Sequence, residues 1–148
     1  MRNILIVGAG KSTAVLIEYL MEKASREDLF ITVADLQLEN AKRIIGDNER
    51  ARPMALDIFQ KEEREKAIQE ADIVISMLPA SLHIEIAKDC LRFSKNMVTA
   101  SYISGEMAAL DPEVKEKGLV FMNEIGVDPG IDHMSAMQVI DRIRDNGG

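Results

Sequence analysis

Short, continuous apolar runs alternate with stretches of helical periodicity along the whole chain, and that alternation leaves few folds open. Asn3-Ile4-Leu5-Ile6-Val7 reads as a first strand, and Ser12 to Lys23 as a first helix, with Val15, Leu16, Tyr19 and Leu20 at helical spacing. Leu29 to Ala34 is expected as the second strand and Leu38 to Gly46 as a helix stopped by its glycine. Pro53 to Leu56 reads as a short third strand, because proline suits a strand start better than a strand middle. A charged helix from Gln60 to Ala71 leads to a fourth strand, Ile73 to Leu78, and a helix from Leu82 to Leu91 leads to a fifth, Asn96 to Thr99. Ser104 to Lys117 is expected as one helix and Leu119 to Met122 as a sixth strand. Strands that are apolar on both faces, each joined to the next by a helix, imply a parallel sheet covered on both sides. The expected fold class is therefore α/β, a doubly wound, Rossmann-like sheet of about six strands.

Composition narrows the partners. The 148 residues are 47% hydrophobic and 29% charged, the balance of one ordinary globular domain. Eighteen Lys and Arg against 25 Asp and Glu give a net charge of −7, and aromatics are 4% with no Trp, which argues against nucleic acid and anionic membranes. The longest apolar runs fall far short of the ~20 residues a membrane span needs, and the N-terminus is a strand carrying one Arg rather than a signal sequence. A cytoplasmic protein with a small-molecule ligand is expected. Cys90, the single cysteine, lies on an apolar helix face and reads as core. With two histidines in the chain, spacing assembles no metal-ligand cluster. His83 and His133 read as surface or capping residues, and the run Lys61-Glu62-Glu63-Arg64-Glu65-Lys66 as a solvated helix face with i,i+4 pairs.

Chemistry concentrates where strands end. Gly8-Ala9-Gly10-Lys11-Ser12-Thr13 follows the first strand and opens the first helix, the place of a dinucleotide-binding turn. Gly8 allows the tight turn and Gly10 lets the backbone approach a pyrophosphate at the helix N-terminus. Thr13 stands where a third small residue is usual, and its hydroxyl is free to bond a nearby carbonyl. A phosphate-binding P-loop is excluded, since the position that needs its first glycine is Leu5, inside the strand. The second strand runs into Asp35, 22 residues after Thr13, close to the ~20 expected for an acid that binds the ribose hydroxyls. A carboxylate there repels a 2′-phosphate, so NAD is favoured over NADP; capping of the next helix is a second role open to Asp35. Asp57 suits either an adenine-side contact or a helix cap. Met77 and Leu78, followed by Pro79, either line a nicotinamide-side pocket or simply end the strand.

The fifth strand leads into Thr99-Ala100-Ser101-Tyr102, and the sixth into Asn123-Glu124-Ile125-Gly126-Val127-Asp128-Pro129-Gly130-Ile131-Asp132-His133. Hydroxyls and carboxylates at that sheet edge suit an amino-acid ligand bearing ammonium and carboxylate groups, and an ordinary loop with a helix cap is the alternative. Ile131 to Arg144 is a further helix, whose Ile131, Met134, Met137, Ile140 and Ile143 sit three residues apart. Packing on its own sheet or on a second domain would each explain them. Arg144-Asp145-Asn146-Gly147-Gly148 reads as a helix end with a glycine stop.

Taken together, Gly8-Ala9-Gly10, Ala55-Leu56-Asp57, Asp72 to Pro79, Val98 to Tyr102 and Met122 to His133 resemble the N-terminal dinucleotide-binding part of the saccharopine dehydrogenase family. The resemblance covers essentially the whole chain, and the Asn-Glu-Ile-Gly segment is its most specific part. It implies reversible, nicotinamide-dependent chemistry on saccharopine in lysine metabolism, in the branch that yields glutamate and aminoadipate semialdehyde. It places the cofactor on Gly8, Gly10, Lys11, Ser12, Thr13, Asp35, Asp57, Ile58, Met77 and Leu78. It brings Ser101, Tyr102 and Asp128 to an amino-acid substrate, and leaves the catalytic residues unassigned. Thr13 departs from the family's small residue, and Asp35 stands where NADP-using relatives often carry a basic one. The resemblance divides the chain into a dinucleotide-binding domain, residues 1–130, and an extra helix, residues 131–148, that leads toward a second, substrate-binding domain absent here. A dehydrogenase when full length, with a homodimer as its assembly, and an inactive fragment alone are the expectations. A carboxynorspermidine-type dehydrogenase and a non-catalytic nucleotide-sensing module remain the alternatives.

Overall fold

A computed structural model describes residues 1–147 of the chain. Its elements, in order, are β1 (Arg2–Val7), α1 (Ala14–Ala24), β2 (Leu29–Asp35), α2 (Leu38–Ile45), β3 (Ala51–Ala55), α3 (Lys61–Gln69), β4 (Ile73–Ser76), α4 (His83–Arg92), β5 (Asn96–Thr99), α5 (Gly105–Ala109), α6 (Asp111–Glu116), β6 (Phe121–Met122) and α7 (Ile131–Asp145). All the strands pair in parallel in one six-stranded sheet of order β3-β2-β1-β4-β5-β6. The order reverses between β1 and β4, and in open α/β sheets that switch point is where ligands bind, at the carboxyl ends of the strands.

Two buried clusters explain why the strands are apolar on both faces. On one side of β1, Ile4 and Ile6 pack with Ile17, Ala24, Ile31, Val33, Ala41 and Ile45, beneath α1 and α2. On the other, Leu5 and Val7 pack with Ile68, Val74, Ile86, Cys90 and Met97, beneath α3 and α4. The period-2 alternation of side chains thus feeds two cores from one strand. Cys90 is core as expected, and burial pushes its thiol up to about 12.

Several details depart from expectation, each for a physical reason. The buried stripe of α1 runs through Ile17 and Ala24, while Val15 and Tyr19 are exposed, so the helix lies rotated relative to the expected face. Pro53 sits inside β3, opposite Val33, because β3 is an edge strand and the missing N–H costs no ladder bond. The single helix expected from Ser104 to Lys117 is two, α5 and α6, broken at Leu110. Pro112 in the first turn of α6 lacks the N–H that would continue α5. Ser104 caps α5, its Oγ accepting from the Met107 N–H at 3.1 Å. α7 buries none of its residues; Ile131, Met134, Met137, Ile140 and Ile143 are all exposed. Gly147 follows α7 with φ of 83°, and Gly148, the last residue of the expected glycine stop, lies outside the described residues. Among the described residues, no helix is long and apolar enough to cross a membrane.

Candidate functional site

The glycine turn lies against the switch point. Gly8 has φ of +106°, and a Cβ there would stand 2.7 Å from the Met77 carbonyl oxygen, so only glycine lets β1 turn this close to β4. Parallel pairing fixes the approach: the Gly8 N–H donates to the Ala34 carbonyl and the Met77 N–H to the Val7 carbonyl, both at 2.8 Å. Gly10 faces open space. The N–H groups of Gly10, Lys11 and Ser12 make no hydrogen bond among the described residues, and the first turn of α1 holds no acidic side chain. Free amides at a helix N-terminus are donors for an anion. The hydrogen bond expected from the Thr13 hydroxyl to a carbonyl is absent among the described residues; its Oγ1 is buried with no partner there.

Asp35 closes this turn from the second strand. Its Oδ2 accepts from the Ala9 N–H at 2.8 Å, and its Oδ1 from the Gln37 N–H at 2.9 Å and from Asn40 Nδ2 at 3.0 Å. Burial raises the Asp35 pKa, but these three donors outweigh it and hold the carboxyl below its ordinary value. A depressed folded-state value means stability that is present above the unfolded pKa, near 3.9, and lost as pH falls through the folded one. Asp35→Asn should therefore remove stability at pH 7 but little near pH 2. Urea melts at the two pH values check this, and equal loss at both would contradict it.

A cavity of about 290 Å³ opens beside the turn, lined by Gly8, Asp35, Leu36, Asp57, Ile58, Leu78 and their neighbours. Asp57 does not cap α3, whose N-cap is Gln60; its Oδ1 instead accepts from the Phe59 N–H at 3.0 Å and shapes the loop after β3. Ile58 is buried, and its carbonyl accepts from Arg64. That arginine corrects the reading of the charge run as wholly solvated. Arg64 is 6% exposed, and its Nε lies 2.6 Å from Oδ2 of Asp89, itself 5% exposed, so α3, α4 and the cavity wall are tied by one guanidinium. Spacing could not show which of six charged neighbours turns inward. An acid at Asp89, flanked by apolar Ile86 and Cys90 on α4, was the available signal of a buried cation.

Further along the edge, the loops after β5 and β6 are bound together. The Tyr102 hydroxyl donates to Asp128 Oδ1 at 2.6 Å, the Ile103 N–H to Glu124 Oε1 at 3.1 Å, and the Glu124 N–H to the Ser101 carbonyl at 3.1 Å. The bond to Asp128 pushes the Tyr102 phenol up to about 12, so it stays protonated at neutral pH. A smaller cavity of about 190 Å³ is lined by Tyr102, Glu124, Pro129, Gly130, His133 and Met134. Gly130, with φ of +145°, folds the loop back so tightly that a Cβ would collide with the Gly126 carbonyl. The fold also gathers Asp128, Asp132 and His133, whose ligand atoms lie within 4.8 Å of one another; all three are exposed.

His83 corrects a second reading. It is 4% exposed, not a surface or capping residue. Its Nδ1 lies 2.8 Å from Ser76 Oγ and its Nε2 2.7 Å from Ser101 Oγ, and burial lowers its pKa, so the ring is neutral at pH 7.

A glycine turn at a helix N-terminus, an acid ending the second strand and a cavity at the switch point define a dinucleotide-binding domain of the doubly wound class. Residues 4–122 match the family described as the saccharopine dehydrogenase NADP binding domain, and the chain belongs to that family. It is 35% identical over 147 residues to a saccharopine dehydrogenase [NADP(+), L-glutamate-forming] of Saccharomyces cerevisiae, covering 99% of this chain and 32% of that protein. It is also 35% identical to the mitochondrial alpha-aminoadipic semialdehyde synthase of Bos taurus, covering 99% of this chain and 15% of that protein. The solved structure of apo histidine-tagged saccharopine dehydrogenase (L-Glu forming) from Saccharomyces cerevisiae superposes with a TM-score of 0.84 at 34% identity, over 99% of this chain and 32% of that one. The chain thus spans about a third of the length of these dehydrogenases.

These comparisons overturn the expectation that NAD is favoured over NADP: the matched domain is an NADP binding domain, and the dehydrogenase relatives are named for NADP(+). The expectation treated Asp35 as a free carboxylate facing the ribose. Its oxygens instead accept hydrogen bonds from Ala9, Gln37 and Asn40 inside the turn.

Proposed function

We propose that this chain is the NADP-binding domain of an oxidoreductase acting on the C–N bond of saccharopine, giving glutamate and aminoadipate semialdehyde. The observation that carries the reading is the glycine turn at the switch point, where Gly8 closes the turn and free amides of Gly10, Lys11 and Ser12 await an anion. The orphaned Thr13 hydroxyl and the open space at Gly10 mark a cradle shaped for a bound group. NADP, when bound, supplies the hydride acceptor. Around it, Asp35 holds the turn rigid, Asp57, Ile58 and Leu78 wall the cavity, and Met77 fixes the distance between β1 and β4. Lys11, exposed and without an ion pair among the described residues, offers the turn a cation for the cofactor's phosphates. Ser101 and the Tyr102–Asp128 pair lie along the same edge and meet the amino-acid substrate. The exposed apolar face of α7 leads to a second domain that completes the substrate site. That division, residues 1–130 and 131–148, is supported by α7 burying nothing here and by the greater length of the relatives. The reading places the protein in the cytoplasm, with support from its single cysteine, buried and without a disulfide.

Turnover by the full natural protein tests the reading. Saccharopine with NADP+ should give a rise in NADPH absorbance, and Lys11→Ala should raise KM for NADP+ about tenfold, the loss of one charge-assisted contact. Absence of NADPH formation with saccharopine would contradict the proposed reaction.

A further inference from the structure

Ser76, His83 and Ser101 come from β4, the start of α4 and the loop after β5, and they meet in one line that runs from the core to the ligand edge. Ser76 is fully buried, His83 nearly so, and Ser101 is half-buried at the edge. A neutral imidazole carries one N–H, so one of the two serines must donate to it and the other accept from it. Ser76 decides which. Its hydroxyl makes no hydrogen bond among the described residues other than that to His83 Nδ1, at 2.8 Å. A hydroxyl proton sealed in the core without an acceptor is costly, so Ser76 donates to Nδ1. The ring proton then sits on Nε2 and is donated to Ser101 Oγ at 2.7 Å. Thr99 Oγ1 also lies 3.4 Å from Nε2, at the limit of a hydrogen bond, and does not displace the 2.7 Å contact of that nitrogen with Ser101.

With His83 Nε2–H bonded to one lone pair, the Ser101 hydroxyl keeps its own proton to give. We propose that Ser76 and His83 form a buried relay that orients the Ser101 hydroxyl as a hydrogen-bond donor, presented to a carboxylate oxygen of the amino-acid substrate. His83 is thus a positioning residue and never touches the ligand. The proposal rests on the reading of this edge as the substrate edge, but the tautomer of His83 can be measured without it.

Long-range proton–nitrogen spectra of the full natural protein, labelled with nitrogen-15 in histidine and assigned by signal loss in His83→Gln, read the tautomer directly. The expected result at pH 7 is an unprotonated Nδ1 and a protonated Nε2. A proton on Nδ1, or a charged ring at pH 7, overturns the relay. Steady-state kinetics with saccharopine give the second readout. Ser101→Ala and His83→Ala should each raise KM for saccharopine about tenfold, and the double variant no further, because both remove one interaction. The KM for NADP+ should stay within about twofold, which a general loss of structure would not allow. His83→Gln, whose side-chain amide can still accept at one end and donate at the other, should recover most of the loss. Additive effects of the two alanine variants overturn the proposal. If saccharopine is not a substrate at all while the Nε2 tautomer is found, the relay stands and the proposed reaction falls.

Discussion

Gly8→Ala is expected to lower affinity for NADPH by about 100-fold or more. The added Cβ would stand 2.7 Å from the Met77 carbonyl oxygen and 3.0 Å from its carbon, and φ at this position is +106°. Neither neighbour is a flexible side-chain tip. β1 and β4 are locked in register from Ile4 opposite Ile73 to Val7 opposite Ser76, and the Met77 N–H is bonded to the Val7 carbonyl. The turn must therefore open, at a backbone cost of about 1–3 kcal/mol for the conformation and a similar amount for the overpacking. The free amides of the turn would then no longer converge on one anion. Fluorescence titration with NADPH measures the loss, and circular dichroism shows whether the sheet persists. An affinity within about threefold of the unaltered protein would mean that the pyrophosphate does not sit at this turn.

Arg64→Ala is expected to destabilise the fold by about 3–5 kcal/mol, the usual consequence of removing one member of a buried ion pair. Asp89, 5% exposed, would keep its charge facing an apolar cluster, and the Ile58 carbonyl would lose its donor. For a chain of this size each kcal/mol lowers the melting temperature by roughly 2–4 °C, so a fall of about 10 °C is expected in calorimetry. The paired replacement Arg64→Met with Asp89→Leu should recover most of it, since apolar residues of similar volume leave no charge unpaired. A loss below about 1 kcal/mol in the single variant would show that the pair is solvated.

How much of this was legible in the chain follows from the range of each interaction. The strands of the sheet, the glycine turn and the acid ending β2 rest on neighbours within a few residues or on a fixed spacing, and the fold carries them where they were expected. The break between α5 and α6 at Leu110 is equally local, since Pro112 stands two residues beyond it. Arg64 with Asp89 and His83 with Ser101 depend on contacts 25 and 18 residues apart, and nothing in the local pattern reports them. Once β4 and β5 are known to be neighbours, Ser76, His83 and Ser101 all fall at their carboxyl ends, so topology was the missing signal. The cofactor preference failed for a subtler reason. Residue type gave the charge of Asp35 correctly, but the bonds from Ala9, Gln37 and Asn40 that hold it inside the turn depend on the fold.

The central claim is that the edge between β1 and β4 holds NADP. Titrating the protein with NADPH while following backbone amide resonances tests it most directly. The expected result is saturable binding with the largest shifts at Gly8 to Thr13 and along the cavity wall at Asp57, Ile58 and Leu78. Absence of binding at millimolar NADPH, or saturable shifts confined to residues away from the glycine turn, would contradict it.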